Sequence, residues 1–355
     1  MTHTDTPSPP SQPLDALASD PIVMGWMIGS PPPPDKLIRF ADGSFARFPR
    51  TRWSYSNLRQ LMPTSAVSRG DAAVSVLPRD ERTDIDGITF QPLGRSDSMT
   101  WADSLLANYT DGILVLHRGR IVYERYFGVL TAHTQHIAFS VSKSFVAIIA
   151  AMLVHEGVLD EHATAATYVP ELETSGYADA TLRQLLDMTT GMKYVVNYTD
   201  ENSSIWEFSR AGNFRPRPAG YQGPETFYSF LQTLPKDSAH GKRFAYKTVN
   251  TDALAWIVRR VTGTSVSELL RERLWSKLGV EQDAYFTVDP IGVEFAGGGL
   301  NLTLRDMARF GDMMRLGGRY NGQQIVPTEV IDDIGRGGNR DHFALAGYAL
   351  LPGWS

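Results

Sequence analysis

The residues best suited to chemistry are Ser140 and Lys143, which lie in the stretch AFSVSKSFVAIIA at 138–150. Helical residues three apart share a face, with Cβ atoms about 5–6 Å apart, so the lysine amine can reach the serine hydroxyl. A hydroxyl needs a base at neutral pH, and burial lowers the pKa of a lysine enough for it to serve as that base. The alternative is a serine that caps a helix beside a solvated lysine. The pattern alone leaves both interpretations open.

A second candidate is Tyr246, in the stretch FAYKTVNTDALAW at 244–256, with Thr248, Asn250 and Asp252 close by in sequence. A tyrosine near a buried lysine can carry protons once the cation lowers the pKa of its phenol. The alternative is a core tyrosine that precedes a helix capped by Asn250 or Thr251. Taken alone, this second pattern favours the alternative.

Other catalytic systems lack their residues. The chain has no cysteine and no G-x-S-x-G turn, which excludes thiol nucleophiles and the usual serine elbow. Gly297–Gly299 lacks the lysine and hydroxyl of a phosphate-binding loop, and His133 with His136 is only a weak metal-binding pair. We therefore expect neither a metal nor an organic cofactor.

The elements that must position Ser140 and Lys143 can be predicted from periodicity. Residues 112–127 form a hairpin around a glycine turn, and its nearly all-apolar first run predicts a central strand. Residues 140–156 are apolar around almost the whole circumference of a helix, which indicates burial. Ser140 or Ser142 can cap this helix, and Gly157 ends it.

Further helices follow the same rules. A long segment at 195–225 has little periodicity, and we interpret it as a loop beside the substrate. The remaining predicted helices cover 181–192, 250–263, 265–279 and a stretch that begins at the cap Thr303.

Composition limits the partners. The net charge of −5 argues against nucleic acid or an anionic membrane. The first 20 residues are polar and rich in proline, lack a secretory signal, and resemble a disordered tail. We expect a cytoplasmic enzyme with a small-molecule ester or amide substrate, and the sequence leaves a homodimer open.

The chain resembles the serine β-lactamase and penicillin-binding protein superfamily, in its class C-like esterase branch. Within that branch it is most similar to the nylon-oligomer (6-aminohexanoate-dimer) hydrolases. The resemblance implies an α+β fold of the β-lactamase/transpeptidase type, with an antiparallel sheet flanked by helices and an all-helical subdomain. It rests on five stretches in register, which are FSVSKSFVAIIAAMLVHEGVLD, YVPEL, TLRQLLDMTTGM, RFAYKTVNTDALAWIVRRVTG and GGGLNLTLRDMARFGDMM.

The resemblance also implies roles for single residues. Ser140 would be the acylated nucleophile, Lys143 its base, and Tyr246 the proton shuttle. Thr248 stands where the family's Y-x-N motif has asparagine, which weakens the case for β-lactam recognition. Tyr198 matches a tyrosine at the substrate mouth of the nylon-hydrolase branch, and Asn250 is a further substrate-binding candidate.

The resemblance predicts a serine hydrolase that cleaves carboxylic esters or small linear amides through an acyl-enzyme. The alternatives are a nylon-oligomer amidase, a β-lactamase or D,D-peptidase, and an inactive or non-catalytic scaffold. An amidase of this kind needs a carboxylate to meet the substrate's ammonium group. The candidates for that carboxylate are Asp200, Glu201 and Glu207.

The family's third motif, Lys/His-x-Gly on a strand beside the site, has no match in the chain. We therefore expect a truncated form of a longer enzyme, with an incomplete sheet and low or no activity. The predicted organisation is an N-terminal extension at 1–50, an α/β subdomain at 51–157 and 285–355, and a mainly helical subdomain at 158–284.

Overall fold

The computed structural model describes residues 14–348 and 351. Its main sheet has four strands in the order β1-β7-β8-β6, with every neighbouring pair antiparallel. Three two-stranded sheets are formed by β2–β3, β4–β5 and β9–β10. The strands are β1 Thr64–Val67, β2 Thr89–Phe90, β3 Met99–Thr100, β4 Gly112–His117, β5 Arg120–Tyr126, β6 His136–Ile137, β7 Ala284–Thr287, β8 Leu300–Leu302, β9 Arg319–Tyr320 and β10 Gln323–Gln324.

Helices surround this sheet and fill the middle of the chain, which agrees with the expected α+β fold. Among the described residues, none of them combines the length and apolar character needed to cross a bilayer. The helices are α1 Thr51–Ser54, α2 Trp101–Ala107, α3 Val141–His155, α4 Ala165–Tyr168, α5 Leu182–Leu186, α6 Ser204–Ala211, α7 Phe227–Thr233, α8 Thr248–Thr262, α9 Val266–Arg273, α10 Leu304–Arg315, α11 Thr328–Arg336 and α12 Arg340–Ala344.

Local sequence explains where several helices begin and end. The hydroxyls of Thr181 and Thr303 accept hydrogen bonds from backbone N–H groups of the first turns of α5 and α10, as N-cap residues do. Helix α8 ends where Gly263 turns left-handed at φ 66°. Helix α5 ends at Leu186, earlier than the predicted 192, and Met188 follows it with a left-handed φ of 54°.

The buried helix α3 lies at the centre of the main apolar cluster and packs against α8 and α9. Phe145 of α3 is fully buried, and its ring stacks on Phe310 of α10 at a centroid distance of 3.9 Å. The cluster contains residues from both predicted subdomains, such as Val146 and Leu254. The subdomain boundaries themselves stay a prediction.

The N-terminal extension is folded from residue 14 onwards. Its Trp26 and Phe45 join a second apolar cluster with Tyr285 of β7. The predicted disordered tail at 1–20 is wrong for residues 14–20, because Ser19 is fully buried there and Arg52 donates a hydrogen bond to the Ala16 carbonyl. Residues 1–13 lie outside the described part of the chain.

Two further predictions need correction. Strand β4 is not central within residues 14–348, because it pairs with β5 alone and its side chains are only partly buried. The predicted loop at 195–225 contains helix α6, which begins at Ser204. This helix buries Ile205 and Phe208 and exposes Glu207, but it has only eight residues, which is too short for its period to stand out in the sequence.

Candidate active site

Ser140 is placed by a sharp turn between β6 and α3. Phe139 has a φ of 43°, a left-handed conformation that is uncommon for a bulky side chain and that often accompanies function. Its ring packs edge-on against Tyr55 at 5.0 Å. This turn delivers Ser140 to the N-terminus of a long buried helix, whose dipole favours negative charge.

The Ser140 hydroxyl accepts a hydrogen bond from Lys143 and makes none with the backbone of the helix's first turn. Lys143 Nζ lies 3.0 Å from Ser140 Oγ and 2.5 Å from the Gly297 carbonyl oxygen. Ser140 occupies the N-cap position, as one of the two predicted alternatives has it, but its side chain makes no capping hydrogen bond. The buried Ser142 instead bonds Phe139 and β8 through its hydroxyl, a structural role.

The environment of Lys143 favours its neutral form. The side chain is 8% exposed, and burial lowers its pKa to about 8, an effect that the Asp252 carboxylate partly opposes. At pH 7 about a tenth of such lysines are neutral. The Gly297 carbonyl takes one N–H of the neutral amine, which leaves the nitrogen lone pair free for the Ser140 proton.

Asp252 fixes the other side of Gly297. Its Oδ1 accepts the Gly297 N–H at 3.2 Å, while its buried Oδ2 has no hydrogen-bond partner among the described residues. Burial raises the pKa of this carboxyl. Asp252 thus binds the N–H of Gly297, and Lys143 binds its carbonyl oxygen. Through this one residue, the position of the lysine depends on a carboxylate of helix α8.

Only glycine fits at position 297. A Cβ there would lie 2.5 Å from Thr248 Cγ2 and 2.6 Å from Asp252 Oδ2, closer than van der Waals contact allows. The sequence shows a run of glycines at 297–299, and such a run can indicate that another part of the chain approaches the backbone closely. Its role next to Lys143 depends on a contact across 154 residues, which local patterns do not reveal.

Tyr246 lies beside the pair. Lys143 Nζ sits over its ring, 5.1 Å from the centroid. Burial raises the pKa of Tyr246, and a hydrogen bond with Ser140 offsets this only in part. The expectation that the cation lowers this pKa is therefore wrong, and the phenol keeps its proton at neutral pH.

Ser140 opens into a cavity of about 310 Å³. Of the predicted substrate-binding residues, Tyr198 and Thr248 line it with Ser140, and Tyr198 is 63% exposed at 5.6 Å from Trp206. The walls are mainly aromatic, and they also include one cation. Sequence analysis did not single out these wall residues, which are Tyr55, Phe139, Trp206, Phe214, Arg215 and Phe295.

Asn250 lies elsewhere. It is fully buried, and its Oδ1 accepts hydrogen bonds from Thr190 at 2.8 Å and Tyr177 at 3.2 Å. These contacts tie α8 to the segments on both sides of α5, with Tyr177 before that helix and Thr190 after it. The prediction that Asn250 contacts substrate is therefore contradicted by its placement, because it is absent from the cavity wall and its carbonyl oxygen is already bonded.

The cavity wall, as far as the described residues form it, contains no carboxylate. None of the three predicted ammonium partners reaches it, and Glu201 lines a neighbouring cavity instead. The described residues also hold no group of three or more histidine, aspartate or glutamate side chains arranged to bind a metal ion. Beside this cavity the structure brings together the side chains of Ser140, Lys143 and Tyr246.

Comparison with known proteins gives this geometry a context. Residues 102–350 match the family model described as "Beta-lactamase". The chain is 35% identical over 310 residues to a 6-aminohexanoate-dimer hydrolase of Paenarthrobacter ureafaciens, a match that covers 86% of this chain and 75% of that protein.

Two solved structures are similar to this chain in fold. The structure named "Putative 6-aminohexanoate-dimer hydrolase from Bacillus anthracis" superposes with a TM-score of 0.79 at 33% identity, over 85% of this chain and 78% of that one. An octameric penicillin-binding protein homologue from Pyrococcus abyssi has a TM-score of 0.51 at 20% identity, over 65% of this chain and 57% of its own. The latter likeness concerns the fold alone.

Proposed function

Because this chain belongs to the beta-lactamase family and is a hydrolase, we propose that it cleaves carboxylic esters or small linear amides through an acyl-enzyme on Ser140. The observation that carries the proposal is the 3.0 Å contact between Lys143 Nζ and Ser140 Oγ at the wall of an aromatic cavity. A buried amine of lowered pKa is the base that such a hydroxyl needs.

Acylation begins when neutral Lys143 takes the Ser140 proton and the serine oxygen bonds to the substrate's carbonyl carbon. The carbonyl oxygen becomes an oxyanion at the N-terminus of α3. The Ser140 N–H has no acceptor within residues 14–348 and 351, so it is available to donate to that oxyanion. Donors of this kind typically contribute about 10²–10³ in rate.

The tetrahedral intermediate then expels its leaving group. Tyr246, which keeps its proton at neutral pH, donates it to the departing alkoxide or amine nitrogen and recovers one from the Lys143 ammonium. A water molecule next attacks the acyl carbonyl carbon and gives a proton to Lys143. The bond between the acyl carbon and Ser140 Oγ breaks, Lys143 returns its proton to that oxygen, and the carboxylic acid leaves.

Two related activities have specific arguments. The 35% identity to a 6-aminohexanoate-dimer hydrolase favours a nylon-oligomer amidase, whereas the lack of a carboxylate in the described cavity wall leaves the ammonium end of such a substrate without a partner. Thr248 in place of asparagine disfavours β-lactam hydrolysis. Esters fit the described site best.

The test is covalent labelling with a fluorophosphonate, read by mass spectrometry of the tryptic peptides. The serine oxygen displaces fluoride from phosphorus, so a working nucleophile gains the phosphonyl group. We expect the label on Ser140, its loss in Ser140→Ala, and its retention in Ser144→Ala, a matched control because Ser144 is exposed on the same helix. An unlabelled wild-type protein would contradict the proposal.

A further inference from the structure

The cavity beside Ser140 has a charge that the proposed chemistry does not use. Arg215 lines it, and its guanidinium stacks on Trp206 with Cζ 3.3 Å from the ring centroid. Stacking of this kind holds the planar group in one orientation. A guanidinium stays protonated throughout the working pH range, so the cavity wall carries a fixed positive charge.

Arg215 forms no direct ion pair within the described part of the chain. Among those residues its guanidinium forms no ion pair and donates no hydrogen bond, and the Glu201 carboxylate acts on its charge only from a distance. The guanidinium is only part-buried, so its N–H donors can reach a ligand in the cavity. The arrangement is therefore suited to an anion that arrives with a ligand.

The surroundings reinforce this charge. A second cavity of about 530 Å³ shares Ala46 and Arg215 with the first, and its wall adds Arg47, Arg210 and Arg217. Its two acids are Asp42 and Glu201, so four arginines face two carboxylates. An excess of one sign in a concave wall raises the local concentration of oppositely charged substrates.

We infer that Arg215 is a carboxylate-binding subsite, and that the substrates are esters or amides carrying a second, ionised carboxylate, such as monoesters of dicarboxylic acids. This inference rests on the proposed serine hydrolase function. A planar carboxylate pairs with two parallel N–H groups of a guanidinium. The ring of Trp206 restricts that guanidinium to one plane, which orients the substrate in the aromatic cavity.

The test uses two matched p-nitrophenyl alkylphosphonates whose tails end in a carboxylate or in the isosteric primary amide. Ser140 Oγ bonds to phosphorus, p-nitrophenolate leaves, and Lys143 takes the serine proton. We expect the carboxylate probe to label Ser140 about tenfold faster or more at low salt, since hydrogen bonds to charged groups are the strong ones. High salt reduces the ratio because it screens the charge.

Variants locate the effect. Arg215→Gln should bring the ratio of the two rates close to one. Arg215→Lys should keep part of the preference, because lysine retains the positive charge but lacks the two parallel N–H groups of the guanidinium. Arg319→Gln is the matched control, since Arg319 is exposed on β9 and lines neither cavity. It should leave the ratio unchanged.

The outcomes separate the two proposals. Equal rates with both probes in the wild-type protein, or a preference that survives in Arg215→Gln, would overturn the carboxylate subsite while the serine hydrolase function stands. If neither probe labels Ser140, the proposed function fails and the subsite fails with it.

Discussion

Phosphonylation of Ser140 should follow a pH profile with a midpoint near 8, and Lys143→Arg should abolish that profile. The lysine accepts the serine proton only when it is neutral. Its contribution to the rate therefore grows as pH rises through its pKa, which burial lowers to about 8. Arginine at this position keeps a charge and hydrogen-bond donors but does not deprotonate in proteins.

The size of the effect follows from the neutral fraction. With a pKa of about 8, roughly a tenth of the lysine is neutral at pH 7 and about half at pH 8. The rate should thus rise about fivefold over that interval and level off above about pH 9. A lysine with an ordinary pKa would be neutral to only about 0.04% at pH 7, and the rate would climb about tenfold per pH unit to about pH 10.

The assay is the second-order rate constant for labelling by a neutral fluorophosphonate between pH 6 and 10.5, at constant ionic strength, read by mass spectrometry. The wild-type protein and Ser144→Ala should share one curve. In Lys143→Arg the rate should fall by about 10²–10⁴, the usual contribution of a general base, and should be flat with pH.

Two results would refute this reasoning. A wild-type rate that keeps rising tenfold per pH unit up to pH 10 would show that burial does not lower the pKa of Lys143. If the rate for Lys143→Arg also rose with pH around the same midpoint, a group other than Lys143 would be responsible for the pH profile.

Three further predictions concern the surroundings of the pair. Asp252→Asn removes a charge that raises the pKa of Lys143, so the midpoint of the same pH profile should move to lower pH, and an unchanged or higher midpoint would contradict this. Tyr246→Phe should reduce kcat by about 10²–10⁴ for alkyl esters but much less for p-nitrophenyl esters, whose leaving group needs no proton; equal losses would contradict a proton donor. Phe145→Ala should lower the free energy of unfolding in urea by about 3–5 kcal/mol, against less than about 1 kcal/mol for the exposed control Val158→Ala, and equal values would contradict the packing of α3.

The parts of the fold that the sequence predicts best have strong local signals. Helix α3 is apolar around its circumference, and the three-residue spacing of Ser140 and Lys143 at its N-terminus predicts that their side chains can meet. The caps Thr181 and Thr303 mark two other helix starts for the same reason. Each of these features depends on residues within a few positions of one another.

The rest of the site depends on contacts between distant segments. Gly297 contacts Lys143 and Asp252 only in the folded chain, and these contacts leave no periodic pattern in the sequence. Arg215 lies in the segment 195–225, for which the sequence predicts a loop. Helix α6 and the turn after it nevertheless contribute several residues to the cavity wall. The predicted direction of the Tyr246 pKa shift is wrong because it considered only the charge of the lysine, whereas burial of the phenol, which the sequence does not reveal, dominates.

The most direct test of the account is the covalent intermediate itself. The protein is mixed with an alkyl ester, quenched in acid within milliseconds to seconds, and digested for mass spectrometry. We expect the peptide containing Ser140 to gain the mass of the acyl group less one hydrogen, and the adduct to disappear on longer incubation. Ester hydrolysis by Ser140→Ala at the wild-type rate, or an acyl group found on another residue, would contradict it.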